Sequence, residues 1–399
     1  MFVKICVVIA AVIGLVGECY GAELCAVEKL PLTTFGEHAT LSYTLNGTSP
    51  EKTFPVKLTG AEIRYTRLLI SAPSQGSYDI EIRDFTGKVL QSIGPNSVVH
   101  SQSNPTPGAV AFWSNRLPAA ILKVEVAGLS ANQDVKLLEY EAMPAGAKAP
   151  FYSVKGNEPY WFDAYSSSFD DAIKAEADSV GMLVTSEGSS YSGFRNWCCS
   201  GSIVSTKPRL LFMTNFHCGG TAGAVEDYWS DDVCHHTIVD FSWDGDTVGR
   251  EYQCVNVPVK EKSLDLAVLE LAPLVPGTPP PPAVFFTAAE IRDGQNIHVI
   301  HHPQCLQKQV SVACTVTKSK ADDWLNAGLM SDFEHDCNTE GGSSGAPVFD
   351  DDGEVIGLHH LPYHETSPGL CQRANAAVSI NPVISVLKSI SPTPVLDVR

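Results

Sequence analysis

Apolar and charged residues alternate along Tyr78-Asp79-Ile80-Glu81-Ile82-Arg83 and again along Ile121-Leu122-Lys123-Val124-Glu125-Val126. A period of two sorts side chains onto opposite faces of an extended chain, so each segment predicts a half-buried strand. After the first of them, Asp84-Phe85-Thr86-Gly87-Lys88 supplies a turn before Val89-Leu90. From about Cys25 to Pro150 there is no helical periodicity, and several short strands of this kind predict a small β-sandwich. Around Ala145-Gly146-Ala147-Lys148-Ala149-Pro150 the residues turn small and flexible, as at an exposed domain junction.

Beyond the junction, Ser168-Phe169-Asp170-Asp171 has the form of a capping box for a short helix reaching toward Ala177. Strands resume from about Val180. The run Pro273 to Pro282 interrupts them, and because proline cannot donate to a ladder it predicts a stiff surface connection. Near the end, Asn381 is placed to cap a helix with Pro382 at its first position. Val383, Ile384, Val386, Leu387 and Ile390 form its buried stripe.

Composition adds a compartment. Met1 to Lys4, the apolar run Ile5 to Val16 and the small residues Gly17, Cys19, Gly21 and Ala22 have the layout of a secretory signal peptide, which predicts a secreted protein. The apolar run is short of the roughly 20 residues that span a bilayer, so no membrane partner is expected. Of 12 cysteines, all but Cys6 and Cys19 lie beyond the signal, an even remainder that favours disulfides in an oxidising compartment. A net charge of −18 argues against a nucleic-acid surface, which needs Lys and Arg to replace phosphate counterions. Asn46-Gly47-Thr48 is a glycosylation sequon.

Three motifs carry candidate chemistry. The apolar strand Leu211-Phe212-Met213-Thr214-Asn215-Phe216 ends at His217-Cys218-Gly219. In Ser263-Leu264-Asp265-Leu266-Ala267-Val268-Leu269, an aspartate heads a strand otherwise built of aliphatics, where aspartate is a poor strand former. In Cys337-Asn338-Thr339-Glu340-Gly341-Gly342-Ser343-Ser344-Gly345-Ala346-Pro347-Val348, small residues before a serine let backbone N–H groups converge, as an oxyanion hole requires. Gly342 N–H and Ser344 N–H are the natural donors.

The order His, Asp, Ser with these flanks resembles the chymotrypsin-like serine peptidases, and most closely the bacterial-type lysyl and glutamyl endopeptidases. Cys199-Ser200-Gly201-Ser202-Ile203-Val204, Ile300-His301-His302-Pro303 and Glu354-Val355-Ile356-Gly357-Leu358-His359 share in the resemblance. It runs from about Ser179 to the C-terminus. It implies an all-β chain: two six-stranded β-barrels packed at right angles, preceded by the small β-sandwich-like domain, with the active site in the cleft between the barrels. The expected organisation is a signal peptide over 1–21, a β-sandwich-like domain or propeptide over 22–150, a linker with a short helix over 151–178, and the peptidase domain over 179–399.

The resemblance makes His217, Asp265 and Ser344 a catalytic triad for hydrolysing protein or peptide substrates, with no cofactor and no metal. Ser343 stands where trypsin-type enzymes carry the aspartate that pairs with a freed N-terminal amine, so zymogen activation by that salt bridge is not available. The resemblance also implies a Cys199–Cys218 disulfide around the His217 loop. Cys337–Cys371 would straddle the Ser344 loop, Cys305–Cys314 would close a hairpin, and Cys25, Cys198, Cys234 and Cys254 stay unassigned. Glu340 and His359 are the candidate substrate-binding residues. An acidic Glu340 favours cleavage after basic residues, whereas His359 matches a pocket histidine of the glutamyl endopeptidases. The pairs His235-His236, His301-His302 and His359-His360 lack the spacing of a helical zinc site and read as structural or substrate-contacting. The competing reading is a catalytically idle homologue that serves as an extracellular binding protein; the oligomeric state is open.

Overall fold

The computed structural model describes residues 33–34, 37–56, 63–97, 108–144, 160–189, 193–220, 228–244, 249–323, 328–361 and 375–399. The two alternating segments form neighbouring strands, Asp79–Asp84 and Ile121–Ala127, in antiparallel register with Ile80 opposite Val126 and Ile82 opposite Val124. These four side chains are buried against Leu68, Ile70, Leu137 and Tyr140 of a facing sheet. Each buried aliphatic of this kind stabilises by about 1.5–3 kcal/mol. The intervening turn is fixed by Asp84, whose Oδ1 accepts the N–H groups of Thr86 at 2.8 Å and Lys88 at 3.0 Å. One sheet runs Glu51–Pro55, Ile121–Ala127, Asp79–Asp84, Val89–Ile93; the other runs Glu37–Leu45, Val135–Pro144, Ile63–Pro73, Ala109–Trp113.

The C-terminal half has the two-barrel, chymotrypsin-like fold. In the first barrel the strand order is Gly193–Ser205, Val180–Ser189, Ile238–Asp240, Glu251–Glu261, Leu266–Pro273, Leu211–Asn215, and the last strand closes on the first through pairs such as Ser202 with Met213. The second barrel runs Pro347–Asp350, Asn296–His301, Gln309–Ala321, Asp332–His335, Asn375–Ser379, Glu354–Leu361 and closes through Val348 opposite Gly357. The proline run lies between the barrels, mostly exposed, with Tyr252 donating its hydroxyl to Pro279 O at 2.6 Å. Among the described residues no helix is long and apolar enough to cross a membrane.

Both expected helices are present, with different caps. The first spans Asp171–Ala177, and its cap is Asp170 rather than Ser168, because the Asp170 carboxylate reaches the N–H groups of Ala172 and Ile173 at 3.1 Å. The last helix spans Ile380–Lys388 with Ser379 at its cap, so Asn381 and Pro382 fall inside the first turn. Val383, Ile384, Leu387 and Ile390 are buried as expected, and Val386 is partly buried.

Cysteine connectivity departs from expectation in two places. Cys199–Cys218 forms. Cys337, however, bonds Cys314 and not Cys371, and Cys305 bonds Cys198 and not Cys314. The reason is the sheet: Cys314 lies on Gln309–Ala321 and Cys337 just beyond its neighbour Asp332–His335, so the two sulfurs meet across the ladder. Cys305, at the turn after Asn296–His301, faces the other barrel and meets Cys198 there. Cys234–Cys254 is the fourth bond among the described residues. Cys25, Cys371 and the signal segment lie outside the described residues.

Candidate active site

Strand pairing brings the first two motifs together. Leu211–Asn215 runs antiparallel to Leu266–Pro273 with Asn215 opposite Leu266, which sets His217 beside Asp265. Asp265 adopts a left-handed conformation, φ 45° and ψ 40°, which aspartate tolerates better than most residues because its short polar side chain can bond locally. Asp265 uses all three of its oxygens. Asp265 O accepts from Phe216 N–H at 2.9 Å and Asn215 Nδ2 at 3.0 Å, and Asp265 Oδ1 accepts His217 N–H at 2.9 Å. His217 Nδ1 lies 2.7 Å from Asp265 Oδ2, which leaves the other ring nitrogen available to exchange a proton.

Asp265 is fully buried, and burial alone pushes a carboxyl up. The imidazoles of His217 and His360 more than reverse that, so Asp265 is held below its ordinary value. His360 was not singled out individually from the sequence. Its Nδ1 is 3.4 Å from Asp265 Oδ2, and its Nε2 is 2.9 Å from Asp332 Oδ2. Burial opposes charge on His360, yet the two carboxylates outweigh it and push the imidazole up to about 9. His360 is therefore an imidazolium at neutral pH, sandwiched between two buried carboxylates, one of which orients His217.

Ser344 belongs to the second barrel, and Ser200 ties its loop to the first. Ser200 N–H donates to Ser344 O at 2.7 Å, and Ser200 Oγ donates to Gly342 O at 2.8 Å while accepting His302 N–H at 2.9 Å. The Cys199–Cys218 bond puts Cys218 Sγ 4.0 Å from Ser344 O, so the turn bearing His217 abuts the serine loop. That bond also consumes the two sulfurs nearest His217, which are therefore not thiolates able to hold a metal there.

The loop conformation needs glycine on both sides of the serine pair. Gly342 has φ +96° and Gly345 φ +85°. A Cβ at Gly342 would lie 2.5 Å from His302 O and 3.1 Å from Cys305 N. In this conformation Ser343 N–H is taken by Glu340 O at 2.8 Å and Gly345 N–H by His359 O at 2.8 Å. Gly342 N–H and Ser344 N–H have no partner among the described residues. Two free donors flanking a partly exposed serine are what a developing oxyanion needs.

Ser343 has a structural task. Its Oγ accepts Glu340 N–H at 3.0 Å and lies 2.7 Å from His301 Nδ1; His301 Nε2 in turn is 3.1 Å from Ser311 Oγ, which donates to Asn338 O at 2.5 Å. With that hydroxyl proton committed to Asn338, His301 donates from Nε2 and accepts from Ser343 at Nδ1. Burial, with His335 nearby, pulls His301 down to about 3, so the chain of bonds holds with a neutral ring. Glu340 is buried and its Oε1 accepts Gly341 N–H at 3.1 Å; His359 Nδ1 is 3.1 Å from His335 Nε2, and burial holds both rings neutral.

No curated protein matches the chain. Among solved structures, the active form of the Rv3671c protease from M. tuberculosis is similar at 18% identity and a TM-score of 0.41, over 62% of this chain and 94% of that one. The match with a protein family distinguishes no lysyl or glutamyl subtype. It shows that residues 199–358, a span that includes His217, Asp265 and Ser344, are similar to the trypsin-like peptidase domain.

Proposed function

We propose that the chain is a secreted serine endopeptidase whose triad is His217, Asp265 and Ser344, cleaving after basic residues. The observation that carries the reading is the buried His217–Asp265 pair at 2.7 Å, set against a serine loop with two unpaired N–H donors. Ser344 Oγ attacks the scissile carbonyl while the free nitrogen of His217 takes its proton. The carbonyl oxygen becomes an oxyanion between Gly342 N–H and Ser344 N–H. His217 then protonates the leaving amine, the C–N bond breaks, and an acyl-enzyme remains. Water then attacks the acyl carbonyl as His217 takes its proton, and His217 returns that proton to Ser344 Oγ as the ester C–O bond breaks and the acid leaves. Asp265 stabilises the imidazolium at each stage and keeps the ring in one tautomer.

The buried Glu340 carboxylate favours a lysine or arginine side chain next to the cleaved bond and repels an acidic one. Secretion is supported by the signal-like start and by four disulfides, which persist in oxidising compartments. The sequon is a solvent-facing turn in which Asn46 Oδ1 accepts Thr48 N–H at 2.9 Å, accessible to a glycan. A peptide library tests the whole reading. The expected result is cleavage after Lys and Arg, lost in Ser344→Ala and strongly reduced in Glu340→Gln; dominant cleavage after Glu or Asp would overturn the specificity, and wild-type rates in Ser344→Ala would overturn the triad.

A further inference from the structure

The first barrel carries two acidic residues side by side, Asp240 and Glu251, directly opposite each other on adjacent strands and both buried. Neighbouring carboxylates without water or counter-charge repel each other and cost several kcal/mol each. Their counter-charges come from the N-terminal sandwich. Arg67, on the strand Ile63–Pro73, places NH2 3.2 Å from Glu251 Oε2 and 3.5 Å from Asp240 Oδ2. Arg116, just past Ala109–Trp113, donates its backbone N–H to Glu251 Oε1 at 3.0 Å, sets Nε 3.6 Å from Asp240 Oδ2 and donates from NH2 to Ser242 O at 3.0 Å. Even with both guanidiniums present, burial keeps the Glu251 carboxyl above its ordinary value.

The contact extends on both sides of this cluster. Leu69, Ala111 and Trp113 of the sandwich pack with Ile238 of the barrel in one apolar patch. Glu139 of the sandwich is 2.8 Å from His38 and 3.6 Å from His236 of the barrel. The Arg116 guanidinium also lies over the Trp243 ring at 4.8 Å, and Trp243 Nε1 donates to Cys305 O at 3.0 Å. Cys305 is the residue whose N–H neighbours Gly342 and whose sulfur bonds Cys198. The sandwich thus braces the wall behind the serine loop.

We propose that the N-terminal sandwich is a standing partner of the barrel pair, remaining docked after the chain between them is cut, rather than a pro-segment that leaves. A segment that departs on activation would take Arg67 and Arg116 with it and leave Asp240 and Glu251, adjacent on neighbouring strands, without their counter-charges. The proposal does not depend on the catalytic reading. Its test is to insert a site for a specific protease within residues 145–159 of the full chain, in a Cys25→Ser background so that Cys25 cannot tether the pieces, and to run the nicked protein on size exclusion in about 0.15 M and about 1 M salt. Both fragments should elute together at the size of the uncut chain at either salt. Elution as two species at the lower salt overturns the proposal. With Arg116→Met added, the fragments should dissociate about a hundredfold more readily; an unchanged dissociation constant overturns the role of the ion cluster. Urea unfolding of the intact, uncut wild type serves as a second reading: one shared transition is expected, and a sandwich that melts separately while the barrels stay unchanged overturns the proposal.

Discussion

Two pairs of buried carboxylates are compensated in opposite ways in this molecule. At the sandwich contact, Asp240 and Glu251 meet arginines. At the site, Asp265 and Asp332 meet histidines, with His360 between them and His217 on the outer side. Guanidinium cannot lose its proton in a protein, so the first cluster is a fixed lock. Imidazole can, so the second cluster, on the proposed function, holds charge in place while leaving a partner able to exchange a proton. The difference teaches that burial and pairing are not themselves signs of chemistry; the titratability of the partner is what separates a clamp from a proton-transfer site.

The sharpest way to break this comparison is to neutralise the carboxylate behind the base. Asp265→Asn should keep the fold yet lower kcat by about 10⁴, because the amide stabilises the wrong tautomer of His217. Steady-state hydrolysis of a basic peptide amide measures it, and a loss below tenfold would remove Asp265 from the triad. The equivalent cut at the clamp should act on stability instead. Arg67→Met should cost about 3–5 kcal/mol in urea unfolding, leaving two buried carboxylates short of a partner, while the pH dependence of kcat is unchanged. A shift in that pH dependence would mean that the two clusters are not separate in function.

His360→Gln sharpens the account of the site. With its charge lost, the repulsion that His360 exerts on a protonated His217 across Asp265 is removed, so the acid limb of kcat/KM should move to higher pH. Asp332→Asn should move it the same way, since His360 then loses a carboxylate that keeps it charged. An acid limb that stays in place in both variants would reduce His360 to packing.

The smallest expected effect is on stability against pH. His236 and His360 are both pushed up to about 9 in the folded chain from an ordinary 6.5, through carboxylate partners that outweigh burial. A raised histidine contributes stability that is complete below pH 6.5 and is lost as pH rises toward 9. The melting temperature should therefore fall by several degrees between about pH 6.5 and 8, and His236→Gln should flatten that slope. Above pH 8 the fall is opposed by Lys308, which burial pulls down to about 8. A slope unaltered in His236→Gln would contradict the assignment.

The residues proposed for the chemistry stood out locally in the sequence, His217 at the end of its strand, Asp265 heading an aliphatic strand and Ser344 among small residues, and the structure brings His217 and Asp265 together. The two barrels followed from the resemblance those motifs carry. Residues whose role comes from packing were not readable. Asp332 is an aspartate at the start of a strand, the same signal that marked Asp265, but nothing local says that His360 lies 2.9 Å away. Arg67 is a charge in a strand, which by itself reads as solvent-facing, and it is buried where that strand meets the acidic pair of the barrel. Cys314–Cys337 and Cys198–Cys305 join segments that the sheet ladder and the barrel contact bring together, so Cys305, Cys314 and Cys337 were expected with other partners and Cys198 with none assigned.

The central claim is that Ser344 is a nucleophile made reactive by His217. Intact-mass analysis after treatment with a fluorophosphonate measures it directly, with peptide mapping to locate the adduct. The account predicts one adduct per chain, on Ser344, forming more slowly in acid, where the histidine base is protonated, and absent in Ser344→Ala. No adduct at neutral pH, or an adduct that persists in Ser344→Ala at the wild-type rate, would contradict it.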